Sequence, residues 1–533
     1  MEKFFNTSGP VFAQDHYILD PLTRVDWEEI HHLIHAKRYF VLHAPRQTGK
    51  TSALLAMMKV LNENGNYAAV YANIEGAQAA RGDETDGIPT ACSAIARSIS
   101  LYLQDDYFEK WLLDDAQQRL KPQDLLTSLL KTWALKSSKP TILFLDEVDA
   151  LVGDTLISLL RQIRAGYAQR PEAFPQSIIL CGVRDVRDYR MHQGDGEIIT
   201  GGSAFNIKAE SLRMGNFSEM EMTTLILQHT QETGQAFDPA IFPELWLDTQ
   251  GQPWLVNALG YEMTWKDKPA RDRTQSIALE QYRQARERLI YSRATHLDQL
   301  ADKLREERVR RVVVMILASE DASAFIDVNP DDQQYVVDLG LIQIARNGVP
   351  TISNRIYQEV IPRELTWIPQ GRIIEQEQAW YVNADGRLNM PKLLTAFQQF
   401  FRENADIWVD KFSYKEAAPQ LIMQAFLQRI INGGGRINRE YALGRRRTDL
   451  FIEWPLDAAQ GFYGEVQRIV VELKIQHAAL EKIIADGIMQ TKDYADSVGV
   501  QECYLVIFNR NPEVSWEDKI WQKTVDGLLV LGC

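Results

Sequence analysis

The stretch "YFVLHAPRQTGKTS", residues 39–52, decides the reading of the N-terminal half of this chain. An apolar run of strand length leads into a short loop around Gly49, and the following "SALLAMMKVL" carries apolar residues at helical spacing. Strand, loop and helix in that order leave a row of backbone N–H groups at a helix N-terminus, a ready site for an anion. The spacing is that of a phosphate-binding loop, G-x-x-x-x-G-K-[ST], with one departure: Ala44 stands in place of the first glycine. Alanine is small, and it fits wherever that position does not require a positive φ.

The expected ligand is ATP with Mg²⁺, surrounded by Ala44, Pro45, Arg46, Gln47, Thr48, Gly49, Lys50, Thr51 and Ser52. Lys50 would reach the β- and γ-phosphates and Thr51 would hold the metal. "TILFLDEVDA" (141–150) supplies the partner element, an apolar strand ending in two carboxylates. Asp146 would hold Mg²⁺ and Glu147 would polarise the attacking water. Downstream of a further strand, "LCGVRDVRDYR" (180–190) offers Arg184 and Arg187 as γ-phosphate sensors or as residues acting across a subunit interface; pairing with Asp185 and Asp188 at the surface is the equal alternative. Arg161 and Arg164 are weaker candidates of the same kind.

The apolar segments 39–44, 67–74, 141–148 and 177–183 alternate with helical ones, which favours a parallel sheet covered by helices. Residues 211–300 read as mostly helical, interrupted by the turn "TQGQPW" (249–254). Two helical stretches and "DLGLIQIARNGVPTISN" (338–354), with its Asn-Gly hairpin signal, suggest a winged helix over 301–366, serving either DNA binding or as a lid or relay. A linker follows over 367–385, then a second α/β unit over 386–533; residues 1–210 form the expected ATPase core.

These N-terminal motifs resemble the AAA+ class of P-loop ATPases. "GQPW" (251–254) resembles the glycine-x-proline signature of signal-transducing (STAND-type) NTPases, which implies that Pro253 contacts or senses the nucleotide from a lid. Residues 1–366 as a whole look like the prokaryotic AAA-like ATPase family, on the segments "HAPRQTGKTS", "GVRDVRDY", "FNIKAESLRMGNFS" and "SNRIYQEVIPREL". A homo-oligomer through the ATPase domain is part of that expectation.

The second unit carries "VVELKIQ" (470–476), with Glu472 and Lys474 on one strand face and Val471, Leu473 and Ile475 on the other. Two charges on one face of a core strand are costly unless paired or bound to something. A plain Glu–Lys salt bridge is one reading. Asp449, near the start of the strand in "GRRRTDLFIEW" (444–454), supplies the other. Asp followed by Glu-x-Lys resembles the PD-(D/E)xK nuclease superfamily, with its restriction-endonuclease-like α/β fold. That resemblance implies that Asp449 and Glu472 bind Mg²⁺, with Mn²⁺ as a substitute, and that Lys474 orients the water or neutralises charge. Gln490 and Tyr494, four apart on the helix "GIMQTKDYAD" (487–496), resemble the Q-x-x-x-Y element of the RecB-like branch. Glu416, at a helix start in "SYKEAAPQL" (413–421), is a further metal-ligand candidate; stabilising the helix N-terminus is its plain alternative. Glu440, Tyr441 and Arg445 to Arg447 would line a groove for DNA.

Bulk composition agrees with a multidomain α/β protein. The chain has 533 residues, 45% apolar and 24% charged, enough for several cores. Runs such as "VVVMILA" (312–318) are far too short for a bilayer, so no membrane association is expected. The N-terminus lacks an apolar secretory segment, and four scattered cysteines without C-x-x-C spacing fit a reducing cytoplasm. A formal net charge of −14 argues against nucleic-acid binding over the whole surface but leaves room for a local basic groove. The expectation is an ATPase joined to a metal-dependent nuclease. The alternative is a STAND-like switch whose C-terminal domain only binds nucleic acid or a protein partner.

Overall fold

The computed structural model describes residues 2–113, 120–183, 190–192, 198–200, 208–291, 300, 302–318, 329–345, 348–361, 381–411, 423, 426–427, 435–443, 446–457, 464–500, 502–509, 511 and 513–533. The chain divides into two compact units: Met1–His296 with Gln333–Ile342, and Leu297–Asp332 with Gln343–Cys533.

In the first unit, strands β1 (Tyr39–His43), β2 (Ala68–Asn73), β3 (Thr141–Asp146) and β4 (Ser177–Gly182) are buried almost throughout. A small antiparallel pair, β5 (Arg190–His192) with β6 (Ile198–Thr200), precedes β7 (Lys208–Arg213). The main sheet is parallel with order β2-β3-β4-β1-β7. Strands this apolar must be covered on both faces. Tyr39, Val41, Val70, Leu143 and Leu180 pack under helices Glu84–Leu103, Pro122–Lys136 and Gly153–Ala165. Phe40, Leu42, Ala69, Phe144 and Ile179 pack under Trp27–His35 and Lys50–Glu63. Strand β7 was not legible beforehand. "KAESLR" lacks an apolar run because it forms the sheet edge, where one side needs no partner strand.

Helices Glu219–Thr233, Ile241–Thr249, Pro253–Tyr261 and Leu279–Tyr291 follow, as the helical reading of 211–300 anticipates. Their ends are chemically marked. Ser218 and Glu221 form a capping box, and the Gln252 side chain caps Pro253–Tyr261 with proline in its first turn. The N-terminal segment packs on this helical region. Phe5 lies against Gly260, Tyr17 Oη is 2.9 Å from His229 Nδ1, and Trp254 Nε1 donates to the Thr7 carbonyl at 2.8 Å.

The second unit holds helix Glu307–Ala318 and, in its C-terminal part, a six-stranded mixed sheet. Strands β8 (Ile342–Ile344) and β9 (Pro350–Ile352) pair as a two-stranded sheet, as the Asn-Gly signal anticipates. The large sheet contains β10 (Arg436–Leu443), β11 (Arg446–Pro455), β12 (Val466–Ile475), β13 (Glu502–Phe508), β14 (Trp521–Val525) and β15 (Leu528–Gly532), in the order β10-β11-β12-β13-β15-β14. Helix Met390–Lys411 covers one face through Leu393, Leu394 and Phe397, against Ile469, Val471 and Leu473. Helix Leu480–Val498 covers the other, with Ile483 and Ile488 on Leu505 and Ile507, and Tyr494 on Val470. The terminal β14–β15 hairpin extends the sheet beyond the last strand expected from sequence. The helix expected at 416–431 and the "NGGGR" turn fall almost entirely outside the described residues.

One glycine fastens two parts of this helical region together. Gly251 has φ +68°, its carbonyl accepts from Phe217 N–H at 2.8 Å, and a Cβ there would sit 1.9 Å from the Phe217 carbonyl oxygen. Backbone cannot yield as a flexible side chain does, so Gly251→Ala is expected to cost about 3 kcal/mol or more. Urea denaturation should show a lower midpoint for the first unit, while the exposed Gly65→Ala, also at positive φ but with open space around it, costs distinctly less.

Candidate functional site

At the C-terminal end of β1 the chain turns sharply. Ala44 N–H donates to the Gly182 carbonyl at 3.2 Å, Thr48 Oγ1 donates to the Pro45 carbonyl at 2.7 Å, and the helix starts at Lys50. Within this loop positive φ falls at Gln47 (57°) and Gly49 (93°). Ala44 is fully buried and needs no glycine, so its substitution leaves the loop intact. Lys50 is buried, and its Nζ donates to the Ala44 and Pro45 carbonyls at 3.0 and 3.1 Å. The ammonium is thereby held over the mouth of the loop. Arg46 is exposed and Ser52 half-buried.

Asp146 is completely buried at the end of β3. Its Oδ2 accepts from Thr51 Oγ1 at 2.8 Å and from Tyr71 Oη at 3.0 Å, and its Oδ1 accepts from Glu147 N–H at 3.0 Å. A carboxylate without solvent requires such donors. Burial, then the charge of Asp146, pushes the Tyr71 phenol up, which keeps it a donor. Thr51 and Asp146 thus present a hydroxyl and a carboxylate oxygen together, the hard donors that suit Mg²⁺. Glu147 sits in the left-handed region at φ 59°. Burial raises its pKa, the Asp149 and Asp146 charges add to the effect, and Lys50 and Arg46 oppose it.

Beside the loop lies a cavity of about 130 Å³, walled by Gln47–Gly49, the N-terminal segment, Met214, Phe217, Pro253 and Trp254. Pro253 thus shares this cavity wall with Gln47, Thr48 and Gly49. Arg24 was not anticipated from sequence. Its Nη1 donates to the Thr48 carbonyl at 2.8 Å and its Nη2 to the Gly215 carbonyl, with the guanidinium 4.5 Å above the Phe217 ring. Burial pushes its pKa down to about 10, with Glu221 opposing. One cation thus ties the loop after β1 to the residues that grip Gly251. Arg184 and Arg187 lie outside the described residues; Arg161 and Arg164 are exposed on their helix.

In the C-terminal sheet, Lys474 Nζ lies 3.2 Å from a Glu472 oxygen, and Glu472 is 4% exposed. Leu450 pairs with Val471 across β11 and β12, and Asp449 and Glu472 are the residues that adjoin that pair on the two strands. Val470, Glu472 and Lys474 share a strand face, and Tyr494 packs on Val470 on that side. Gln490 and Tyr494 differ, however. Gln490 is exposed while Tyr494 is buried with Phe451, Val470 and Val500. Positions four apart are offset around a helix, and here the packing boundary passes between them. Glu416 lies outside the described residues, as do the side chains of Asp449, Glu440, Tyr441, Arg446 and Arg447 and the whole of Arg445. Among the described residues no group of three or more His, Cys, Asp or Glu is placed to hold a metal, and no helix is long and apolar enough to cross a membrane.

No family model and no curated protein sequence matches the chain. Among solved structures, the Walker-type ATPase PABY2304 of Pyrococcus abyssi is similar at 15% identity and TM-score 0.46, covering 67% of this chain and 99% of that one. Cdc6p from Pyrobaculum aerophilum aligns at 13% identity and TM-score 0.37, over 69% of this chain and 98% of that one. The RuvB Holliday junction branch migration motor of Thermotoga maritima aligns at 11% identity and TM-score 0.33, over 64% and 97%.

The contact of half-buried Lys474 with buried Glu472 makes a stability prediction independent of any activity. Removing one partner takes an opposite charge away from the other on a largely covered strand face, where such a contact matters more than at the open surface. Lys474→Met and Glu472→Gln should each lower the thermal midpoint clearly, and the double substitution should cost less than the sum of the two. Simple additivity in denaturation curves would show that the pair does not couple.

Proposed function

We propose that this chain is an ATP-hydrolysing switch joined to a metal-dependent DNA nuclease. The observation that carries the ATPase reading is the Thr51–Asp146 contact at 2.8 Å beside the phosphate loop. It brings the hydroxyl and the carboxylate to one point, with buried Lys50 and half-buried Glu147 alongside. The loop N–H groups and Lys50 bind and orient the phosphates, and Lys50 exchanges its two carbonyl acceptors for phosphate oxygens. Mg²⁺, when bound, supplies positive charge to the phosphate oxygens through Thr51 and Asp146. Glu147 takes up hydrogen bonding from the attacking water, and its environment, which disfavours charge, gives it the proton affinity of a base. The cavity walled by Pro253 and Trp254 receives the base, so that occupation reaches the helical region 211–300 directly. Residues 301–366 would act as a winged-helix relay, with the ATPase face as the surface for a homo-oligomer.

For the C-terminal unit the support is that Asp449 and Glu472 adjoin the paired Leu450 and Val471 on neighbouring strands, with Lys474 3.2 Å from Glu472. Those two carboxylates are the oxygen donors for Mg²⁺ or Mn²⁺, the metal serving to activate water and offset charge at phosphorus. Lys474 would position the water, and Glu416 would complete the donor set. The closed Glu472–Lys474 pair and the buried Tyr494 favour a second reading, a STAND-like switch whose C-terminal sheet binds nucleic acid or a protein without cutting it.

Plasmid and single-stranded DNA incubated with Mg²⁺, with and without ATP, separate the two. On the nuclease reading the wild type cuts, Asp449→Asn and Lys474→Met abolish cutting at unchanged ATP turnover, and metal chelation stops it. Retention by DNA or protein with no cleavage under any condition would establish the binding-only reading. Lys50→Met should reduce ATP hydrolysis at least 100-fold, because the lysine stabilises the charge that develops on the transferred group.

A further inference from the structure

Most polar groups lining the cavity beside the phosphate loop are already engaged. Asn6 donates to the Gly9 and Pro10 carbonyls and accepts from Ser8 N–H, and Ser52 Oγ accepts from Val11 N–H. The Thr7 carbonyl accepts from Trp254. Asn257 differs. It lines the same cavity and is 8% exposed, and its Oδ1 is buried without a hydrogen-bond partner among the described residues. The amide orientation follows from the helix. Asn257 Nδ2 donates to the carbonyl of Pro253, one turn earlier, at 2.8 Å. The opposite orientation would set oxygen against oxygen, so the free atom is the acceptor. A sealed acceptor of this kind costs roughly 1–3 kcal/mol until a donor reaches it.

We infer that Asn257 is the base-reading residue of the nucleotide site, its Oδ1 accepting from the exocyclic amine of adenine. The inference rests on the ATP-site reading above and deepens it to base selectivity. Guanine and hypoxanthine carry an oxygen at the corresponding ring carbon, which would face Oδ1 acceptor to acceptor. The anchoring of the amide to the Pro253 carbonyl also gives the glycine-x-proline turn a role in setting the reader: the proline that starts the helix offers the carbonyl that fixes the asparagine. Val11, Leu19, Phe217 and Trp254 on the same wall accept any base by contact alone, so they do not select among bases and Asn257 can.

The test measures binding of ATP, purine riboside triphosphate, ITP and GTP to the full chain with Mg²⁺, by calorimetry. Purine riboside triphosphate lacks only the amine and requires no change to the protein. The wild type should bind it about tenfold more weakly than ATP, with ITP and GTP weaker still, the loss expected for one hydrogen bond. Asn257→Leu, similar in volume, should bind ATP and purine riboside triphosphate equally, with its thermal unfolding recorded alongside. Equal binding of the two nucleotides by the wild type, GTP binding as tight as ATP, or an unchanged ratio in Asn257→Leu would each overturn the assignment while leaving the phosphate site standing. Failure of all four nucleotides to bind the wild type would instead overturn the ATP-site reading and this inference together.

Discussion

A hydrogen bond of 2.8 Å between Thr51 and Asp146 is the constraint on which the first unit depends. The two residues belong to elements that do not touch in the sheet order, since β4 separates β1 from β3. For them to meet, all strands must run parallel and end at one edge, and the helix after β1 must start there. That geometry is the crevice at strand C-termini where parallel α/β sheets place ligands. A fully buried carboxylate then demands further donors, which Tyr71 at β2 and the Glu147 N–H supply. The same loop anchors the rest of the unit. Through Arg24 it is bonded to the Gly215 turn, through the Phe217 backbone to Gly251, and from there to the helix that carries Pro253 and Asn257.

The C-terminal sheet is built around a comparable problem, a charge pair on a strand whose opposite face carries Ile469, Val471 and Leu473. Val471 and Leu473 are buried under helix Met390–Lys411, while Glu472 and Lys474 lie on the side covered by Leu480–Val498. A buried ion pair is weak evidence for stability, because well-packed apolar residues generally do as well.

Much of this was legible in the sequence, for local reasons. A strand, a glycine loop and a helix can be read within fourteen consecutive residues, 39–52, as can the apolar strand ending in Asp146-Glu147, and the fold sets the two side by side. The parity of "VVELKIQ" assigns its two faces correctly, since period-two alternation is intrinsic to a strand. What escaped depends on tertiary neighbours. Tyr71 reads as one more apolar strand residue until β2 is placed beside β3. Arg24 has no motif, and only the fold brings it to Thr48 and Phe217. Asn257 sits in "WLVNALG" as an unremarked polar residue on a buried helix. The difference in exposure between Gln490 and Tyr494 is set by how helix Leu480–Val498 lies on the sheet, which spacing alone does not determine.

The central claim is that Thr51 and Asp146 hold a divalent ion together with nucleotide. The most direct measurement is electron paramagnetic resonance of Mn²⁺ titrated into the full chain, with and without ATP. The account predicts that ATP adds one tightly bound Mn²⁺ per chain, and that Asp146→Asn removes this increment and leaves any nucleotide-independent binding unchanged. An ATP-dependent Mn²⁺ site that persists undiminished in Asp146→Asn would contradict it.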